Sequence, residues 1–259
     1  MSNSGEATFG RKNYPTPETL NMDKERVELL AREEFSRKSL SYVVSGILVA
    51  LFGFFMIVPF SSAVIPLSED ARSNGFVLDL LFLAIVSILS VNSLSRSYMF
   101  LHRDPFHGWL LFQRSLPVSP KQIVLARSFV MLSATVVMSA LFFGPLFILS
   151  WALEYKFDAG QYLSFVLIWL GYALFSGGLN LFMELGLNGK IVAALQIFWM
   201  GLIVAIVWLL NGDLVFTTFK LAGSHGPLPA GISLLAGGLL FALLAKATEH
   251  RVGNREMSQ

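Results

Sequence analysis

Cysteine is absent from this sequence of 259 residues, and charged residues are scarce. Without cysteine the chain can form no disulfide, thiolate metal site, iron–sulfur cluster or catalytic thiol. Asp, Glu, Lys and Arg make up 14% of the residues, against about 25% in a soluble domain. Hydrophobic residues make up 54%, and the mean hydropathy is +0.64. The net charge of +2 is too small to indicate nucleic-acid binding. The composition indicates a membrane protein.

The sequence also lacks the motifs of two enzyme classes. Its only Gly-Lys pair, Gly189-Lys190, is followed by Ile191, so there is no Walker-type phosphate loop. Ser176 has no histidine near it at membrane depth to act as its base. The four histidines all lie outside the apolar stretches: His102, His107, His225 and His250. We therefore predict no enzymatic activity and no bound cofactor for this chain.

Long apolar stretches are the dominant feature that the sequence does contain. There are six of them: 40–60, 76–94, 128–151, 161–183, 191–210 and 228–245. Each is long enough to cross the membrane, because about 20 helical residues span about 30 Å of hydrocarbon. Strands of a membrane barrel would be about ten residues long and alternate in polarity, which these stretches do not. The sequence predicts an all-α membrane protein with a six-span domain over 39–246.

The distribution of Lys and Arg predicts the orientation. Of the 19 such residues, 16 lie in the N-terminal segment, the loop 95–127, the loop 184–190 or the C-terminal segment. Cytoplasmic segments carry the excess of Lys and Arg, so we predict both termini in the cytoplasm of a cell-membrane protein. Residues 1–20 are predicted to be a flexible cytoplasmic tail, and 247–259 a second tail.

An amphipathic helix is predicted over residues 21–38, between the first tail and the first span. Asn21 is a plausible N-cap, and apolar residues including Leu30 and Phe35 recur at helical spacing. The helix is predicted to lie along the inner leaflet, with Leu30 and Phe35 contacting lipid or a cytoplasmic partner. A solvated helix that only leads into the membrane is the alternative.

The loop 95–127 is rich in large apolar side chains although the charge rule makes it cytoplasmic. Asp104-Pro105 predicts the start of one helix, and Ser119-Pro120 the start of another that runs into the third span. Eight side chains in or just before the first of these helices are candidate docking contacts: His102, Arg103, Asp104, Phe106, His107, Trp109, Leu110 and Arg114.

The stretch Arg114–Arg127, RSLPVSPKQIVLAR, resembles the start of the third span in permease subunits of type-2 ATP-binding-cassette (ABC) exporters. Pro120 departs from the family's pattern, in which many relatives carry a basic residue. The resemblance implies that residues 102–114 are a coupling element that docks into a separate ATPase subunit. It also implies that ATP and Mg are held by two ATPase subunits, and that the chain pairs with a second copy or a related permease.

Alternatives to this interpretation follow from the same residues. The helix over 102–114 could fold back on the inner ends of the spans. His102 and His107 flank Asp104 and could ligate a metal, but the helix pattern supplies no third ligand, so we predict none. The apolar spans favour outward movement of a hydrophobic or amphipathic substrate, such as a peptide, lipid or drug-like molecule. The alternative functions are a stand-alone secondary transporter or channel, and a membrane anchor or sensor that recruits a cytoplasmic protein.

A few polar residues within or beside the spans are further candidates. Asp79 is predicted to be either an end-of-helix charge that reaches the interface or a substrate contact, and Asn180 to need an interhelical partner. Glu184 is predicted to pair with Lys190. The apolar segment 211–227 is predicted to be either a re-entrant or interfacial helix or a plain interfacial loop. Three pairs of small residues at four-residue spacing favour close helix packing: Ala173/Gly177, Gly201/Ala205 and Ser233/Gly237.

Overall fold

The structure, a computed structural model, describes residues 17–64, 75–89, 118–153, 158–187 and 189–254. These residues form helices and no strands. The helices are α1 (Pro17–Phe55), α2 (Ile57–Val64), α3 (Gly75–Ile88), α4 (Pro120–Ala152), α5 (Ala159–Gly186), α6 (Gly189–Leu209), α7 (Leu214–His225) and α8 (Leu228–Asn254).

Four of these helices, α4, α5, α6 and α8, are long and apolar enough to cross a membrane. Helix α1 is a fifth if its two arms count as one bent span, and α3 is apolar but only 14 residues long in the described part of the chain. These apolar helices indicate a membrane-embedded protein. The prediction of an all-helical membrane protein is confirmed at this level, whereas the number of spans, six, stays a prediction.

Helix α1 begins at Pro17, ahead of the predicted cap at Asn21. Proline is favoured at the first helical position because the N–H that it lacks would have no partner there. The arm Lys24–Ser36 lies at 66° to the arm Ser39–Phe55. The predicted amphipathic segment is therefore helical and angled away from the apolar arm that follows it.

The first predicted span, 40–60, is not one helix but is interrupted at Met56. Helix α1 ends at Phe55, and α2 begins at Ile57. Pro59 accounts for the break, because proline has no N–H to donate and its ring clashes with the carbonyl four residues earlier, here that of Phe55. A hydropathy pattern does not register this backbone effect.

Helix α4 begins where the sequence predicts. Ser119 and Gln122 form a capping box, in which the Gln122 N–H donates to Ser119 Oγ (3.3 Å) and the Ser119 N–H donates to Gln122 Oε1 (2.8 Å). Pro120 occupies the first turn, where its missing N–H is not needed. The helix then continues to Ala152, with Pro145 inside it, where proline can donate no backbone hydrogen bond.

Small residues bring α5 and α8 into direct backbone contact. A Cβ atom added at Gly237 would lie 2.0 Å from the carbonyl oxygen of Gly171. Ser233, one turn earlier on α8, donates a hydrogen bond to the Ile168 carbonyl at 2.7 Å. The predicted pair Ser233/Gly237 therefore serves packing within the chain. Gly201 on α6 differs, because a Cβ there would meet no described atom within 4 Å.

Two clusters of buried side chains lie at opposite ends of the helices. One is aromatic and includes Phe60, Phe82, Phe165 and Phe219, with Phe60 and Phe219 ring centroids 5.9 Å apart. The other brings together aliphatic residues of α4, α5, α6 and α8: Val124, Leu185, Val192 and Val252. The second cluster therefore joins the ends of four segments that the charge rule predicts to be cytoplasmic or to border the cytoplasm.

Candidate functional site

A cavity of about 250 Å³ lies between α3, α5 and α6. No charged residue lines it among those that the structure describes. Its polar lining consists of Ser87, Ser176, Asn180 and Gln196. Its apolar lining consists of Ala84, Ile88, Leu179, Met183, Trp199, Met200 and Ile203. The cavity thus combines neutral hydrogen-bonding groups with a larger apolar wall.

The hydroxyl groups of this cavity form hydrogen bonds within the protein. Ser87 Oγ donates to the Leu83 carbonyl at 2.7 Å and lies 2.6 Å from the Tyr172 hydroxyl. Ser176 Oγ donates to the Ser87 carbonyl at 3.2 Å. These bonds tie α3 to α5 and hold the cavity wall in a fixed arrangement.

The two side-chain amides of the cavity differ from the hydroxyl groups in their hydrogen bonding. The side chains of Asn180 and Gln196 have no hydrogen-bond partner in the described part of the chain. Asn180 is six residues from the end of α5 at Gly186, or about 9 Å along the helix. Amides at such depth need a partner, because leaving a polar group unpaired in an apolar medium costs several kcal/mol. Their free donors and acceptors therefore favour a ligand with neutral polar groups.

Asp79 is buried, with 1% of its surface exposed, and caps α7. Its Oδ2 accepts the Leu214 N–H at 2.6 Å, and its Oδ1 accepts the Val215 N–H at 2.9 Å. A carboxylate is favoured at a helix N-terminus because the first N–H groups lack partners and carry partial positive charge. Neither prediction for Asp79 included this capping role, and its position at the membrane interface or contact with a substrate stays a prediction.

The segment 211–227 is a helix over most of its length, α7, and whether this helix is re-entrant or interfacial stays a prediction. Gly212 permits its close approach to α3: its φ is 73°, and a Cβ there would lie 2.4 Å from the Phe76 nitrogen. Phe219 packs in the aromatic cluster, and its carbonyl accepts a hydrogen bond from Gln161 Nε2 at 3.0 Å. Helix α7 is thus fixed to both α3 and α5.

We expect Asp79→Ala to lower the free energy of unfolding by about 1–2 kcal/mol, since loss of a helix cap costs this much. Asp79→Asn should cost less because its amide oxygen can still accept one bond. Thermal unfolding in detergent measures both. Asp213→Ala is the matched control, because Asp213 occupies the N-cap position of α7 but makes no side-chain cap bond. Equal losses from Asp79→Ala and Asp213→Ala would contradict the capping role.

A buried ion cluster lies at the opposite end of the molecule from Asp79. Arg127, on α4, is 1% exposed and contacts two carboxylates, Glu34 of α1 and Glu184 of α5. Its Nη2 donates to Glu184 Oε2 at 2.5 Å, and its Nη1 pairs with Glu34. Both glutamates are buried as well. The cluster connects the N-terminal arm of α1 to the start of α4 and the end of α5.

This ion cluster corrects the predicted Glu184–Lys190 pair. Glu184 binds Arg127, whereas Lys190 is exposed on α6. Sequence reasoning missed Glu34 because it considered only the nearby Lys190 as a partner for Glu184. A signal was available: Glu34 follows Ala31 by three residues, which places both on the same face of the helix.

The remaining predicted site residues fall into two groups. Leu30 and Phe35 are half-buried on the N-terminal arm, and the Phe35 ring packs 5.3 Å from that of Tyr42. Their contact with lipid or a partner stays a prediction. The predicted docking residues all lie outside the described residues: His102, Arg103, Asp104, Phe106, His107, Trp109, Leu110 and Arg114.

No protein-family model, curated protein sequence or solved structure matches this chain. The described residues include no group of three or more His, Cys, Asp or Glu side chains that could hold a metal ion.

Proposed function

We propose that this chain is the membrane subunit of an ATP-driven ABC exporter. The observation that carries the proposal is the continuity of α4. The segment that resembles the exporter family ends at Arg127, inside a helix that is capped at Ser119 and unbroken to Ala152. A displacement of the preceding loop by an ATPase would be transmitted along this helix into the membrane, as far as Pro145, where the helix lacks one backbone hydrogen bond.

The packing of the two helix ends supports the proposed topology of six spans with cytoplasmic termini. Glu34, Arg127 and Glu184 belong to three segments assigned to the same side by the charge rule, and they are in contact. Helix α7 and its cap Asp79 lie at the other end. If the chain crosses the membrane six times with both termini on one side, these two groups of residues must lie on opposite sides, as this arrangement allows.

Single cysteines can test this topology, because the chain has none of its own. We expect Lys220→Cys to react with an impermeant thiol reagent in intact cells and His250→Cys to react only after permeabilisation. Both side chains are exposed, so a difference in labelling reports the side of the membrane. Labelling of His250→Cys in intact cells would overturn the orientation.

The cavity between α3, α5 and α6 supports an amphipathic or hydrophobic substrate. Its free amides, Asn180 and Gln196, offer neutral hydrogen bonds, and most of the other lining is apolar. A secondary transporter would be expected to have coupling acids within its spans, and none lines this cavity among the described residues. We propose that the substrate's neutral polar group contacts Asn180 while its apolar part faces the Met and Trp side chains.

Purification of the tagged chain from its native membranes tests the function. We expect an untagged protein with a Walker-type phosphate loop to co-purify in equal amount, and the eluate to hydrolyse ATP. A stand-alone transporter would purify without such a partner. An anchor or sensor would bring a partner that lacks the phosphate loop. Either result would overturn the exporter proposal.

A further inference from the structure

A long apolar groove of about 790 Å³ runs between α1 and α4 on the outside of the helices. On α1 it extends from Arg32 past the bend to Ala50, and on α4 from Ser133 to Leu141. Gly46 lies at its base, with a Cβ position 3.2 Å from a methyl group of Leu141. The groove is open along one side, since Ile47 and Val137 on its two edges are 57% and 55% exposed.

Three polar residues lie at one end of this groove, although nearly all of the surface that lines the groove is apolar. Arg32, Ser36 and Ser39 are exposed there, at the bend between the two arms of α1. Arg32 has no ion-pair partner in the part of the chain that the structure describes. The nearby acid Glu34 is buried against Arg127. The exposed rim at this end therefore offers one positive charge without an ion-pair partner in the described residues, and two hydroxyl groups.

The length of the groove matches one leaflet of a bilayer. The segment from Ser39 to Ala50 rises about 16 Å at about 1.5 Å per residue, and half of a hydrocarbon core is about 15 Å. From Ser39 towards Ala50, the α1 side of the groove is lined by Tyr42, Val43, Gly46, Ile47 and Ala50. An occupant with a charged head at one end and a chain of one-leaflet length fits this arrangement.

We infer that the groove between α1 and α4 binds an anionic phospholipid of the leaflet at the Arg32 end. The phosphate pairs with Arg32 and accepts hydrogen bonds from Ser36 and Ser39, while one acyl chain lies between Ile47 and Val137. A helix from a second copy fits less well, because it would leave the Arg32 guanidinium without an anion. This site does not depend on the exporter proposal, because lipid binding requires no ATPase.

Native mass spectrometry of the purified full-length protein in non-ionic detergent tests the site. We expect phosphatidylglycerol to bind about fivefold more tightly than phosphatidylcholine, the factor that one basic residue supplies at a membrane surface. Arg32→Glu should remove this preference, and Val137→Trp should reduce binding of both lipids by filling the groove. Arg32→Gln, which keeps a polar side chain at that position, should also lose the preference.

Each variant has a matched control. Lys24→Glu makes the same change of charge on the same arm, outside the groove, and Val136→Trp adds the same ring at a neighbouring valine that is 60% exposed and does not line it. Both controls should bind lipid like the parent protein.

The inference is overturned if all variants bind alike, or if inorganic phosphate removes the preference. Disulfide dimers formed through Val137→Cys, which would place a second copy in the groove, would also overturn it.

Discussion

Replacing Arg127 with Met is expected to destabilise the protein strongly. The change would leave the Glu34 and Glu184 carboxylates buried without their shared cation. Removing one partner from a buried ion pair costs about 3–5 kcal/mol, because the remaining charge has lost both water and its counter-ion. Thermal unfolding in detergent should show a large decrease in Tm, and expression at 37 °C should fall.

Lys121→Met is the matched control, since Lys121 lies two turns earlier on α4 and is exposed. The triple variant Glu34→Met, Arg127→Met and Glu184→Met separates the loss of packing from the loss of charge balance. Buried ion clusters are often replaced by apolar residues at little cost, so we expect the triple variant to be more stable than Arg127→Met alone. If Arg127→Met unfolds at the same temperature as Lys121→Met, the ion cluster contributes nothing to stability.

Sequence alone could predict the features that depend on residues close to one another in the chain. Apolar length predicted the span-length helices, because a bilayer leaves a chain few other ways to satisfy its backbone. The Ser119 cap was predictable for a similar reason, since its partner, Gln122, lies within the same turn. The interruption at Met56 also has a local cause, Pro59, but a prediction based on hydropathy alone did not include it.

The site residues were harder to predict because their partners are distant in the sequence. Asp79 contacts backbone groups 135 and 136 residues further along the chain. Arg127 and Glu184 are 57 residues apart. Of the cavity residues only Asn180 was a candidate, although Gln196 is an equally polar side chain within an apolar stretch. Nothing local indicates that these two amides line the same cavity, which depends on how α5 and α6 pack.

In the proposed ABC exporter, the double variant Phe106→Ala and Trp109→Ala is expected to remove transport while leaving the protein in the membrane. Large apolar side chains in a loop that is predicted to be cytoplasmic have no benefit from exposure to water, and aromatic anchors dominate the energy of many interfaces. Truncating such an anchor costs about 2 kcal/mol or more, so two should weaken ATPase binding by at least about a hundredfold. Arg103 and Arg114 would add charge-assisted hydrogen bonds to the ATPase.

Leu111→Ala with Phe112→Ala is the control, because it removes two apolar side chains of the same loop that lie outside the face which a helix from Asp104 is predicted to give Phe106 and Trp109. ATPase recovered per folded permease, permease abundance and transport are measured for both pairs. If the helix instead folds back on the spans, the Phe106 and Trp109 variant should lose abundance and thermal stability, with recruitment per folded molecule unchanged. An intact and active complex from that variant would overturn the docking role of residues 102–114. The continuity of α4 from Ser119 would then no longer support coupling to an ATPase.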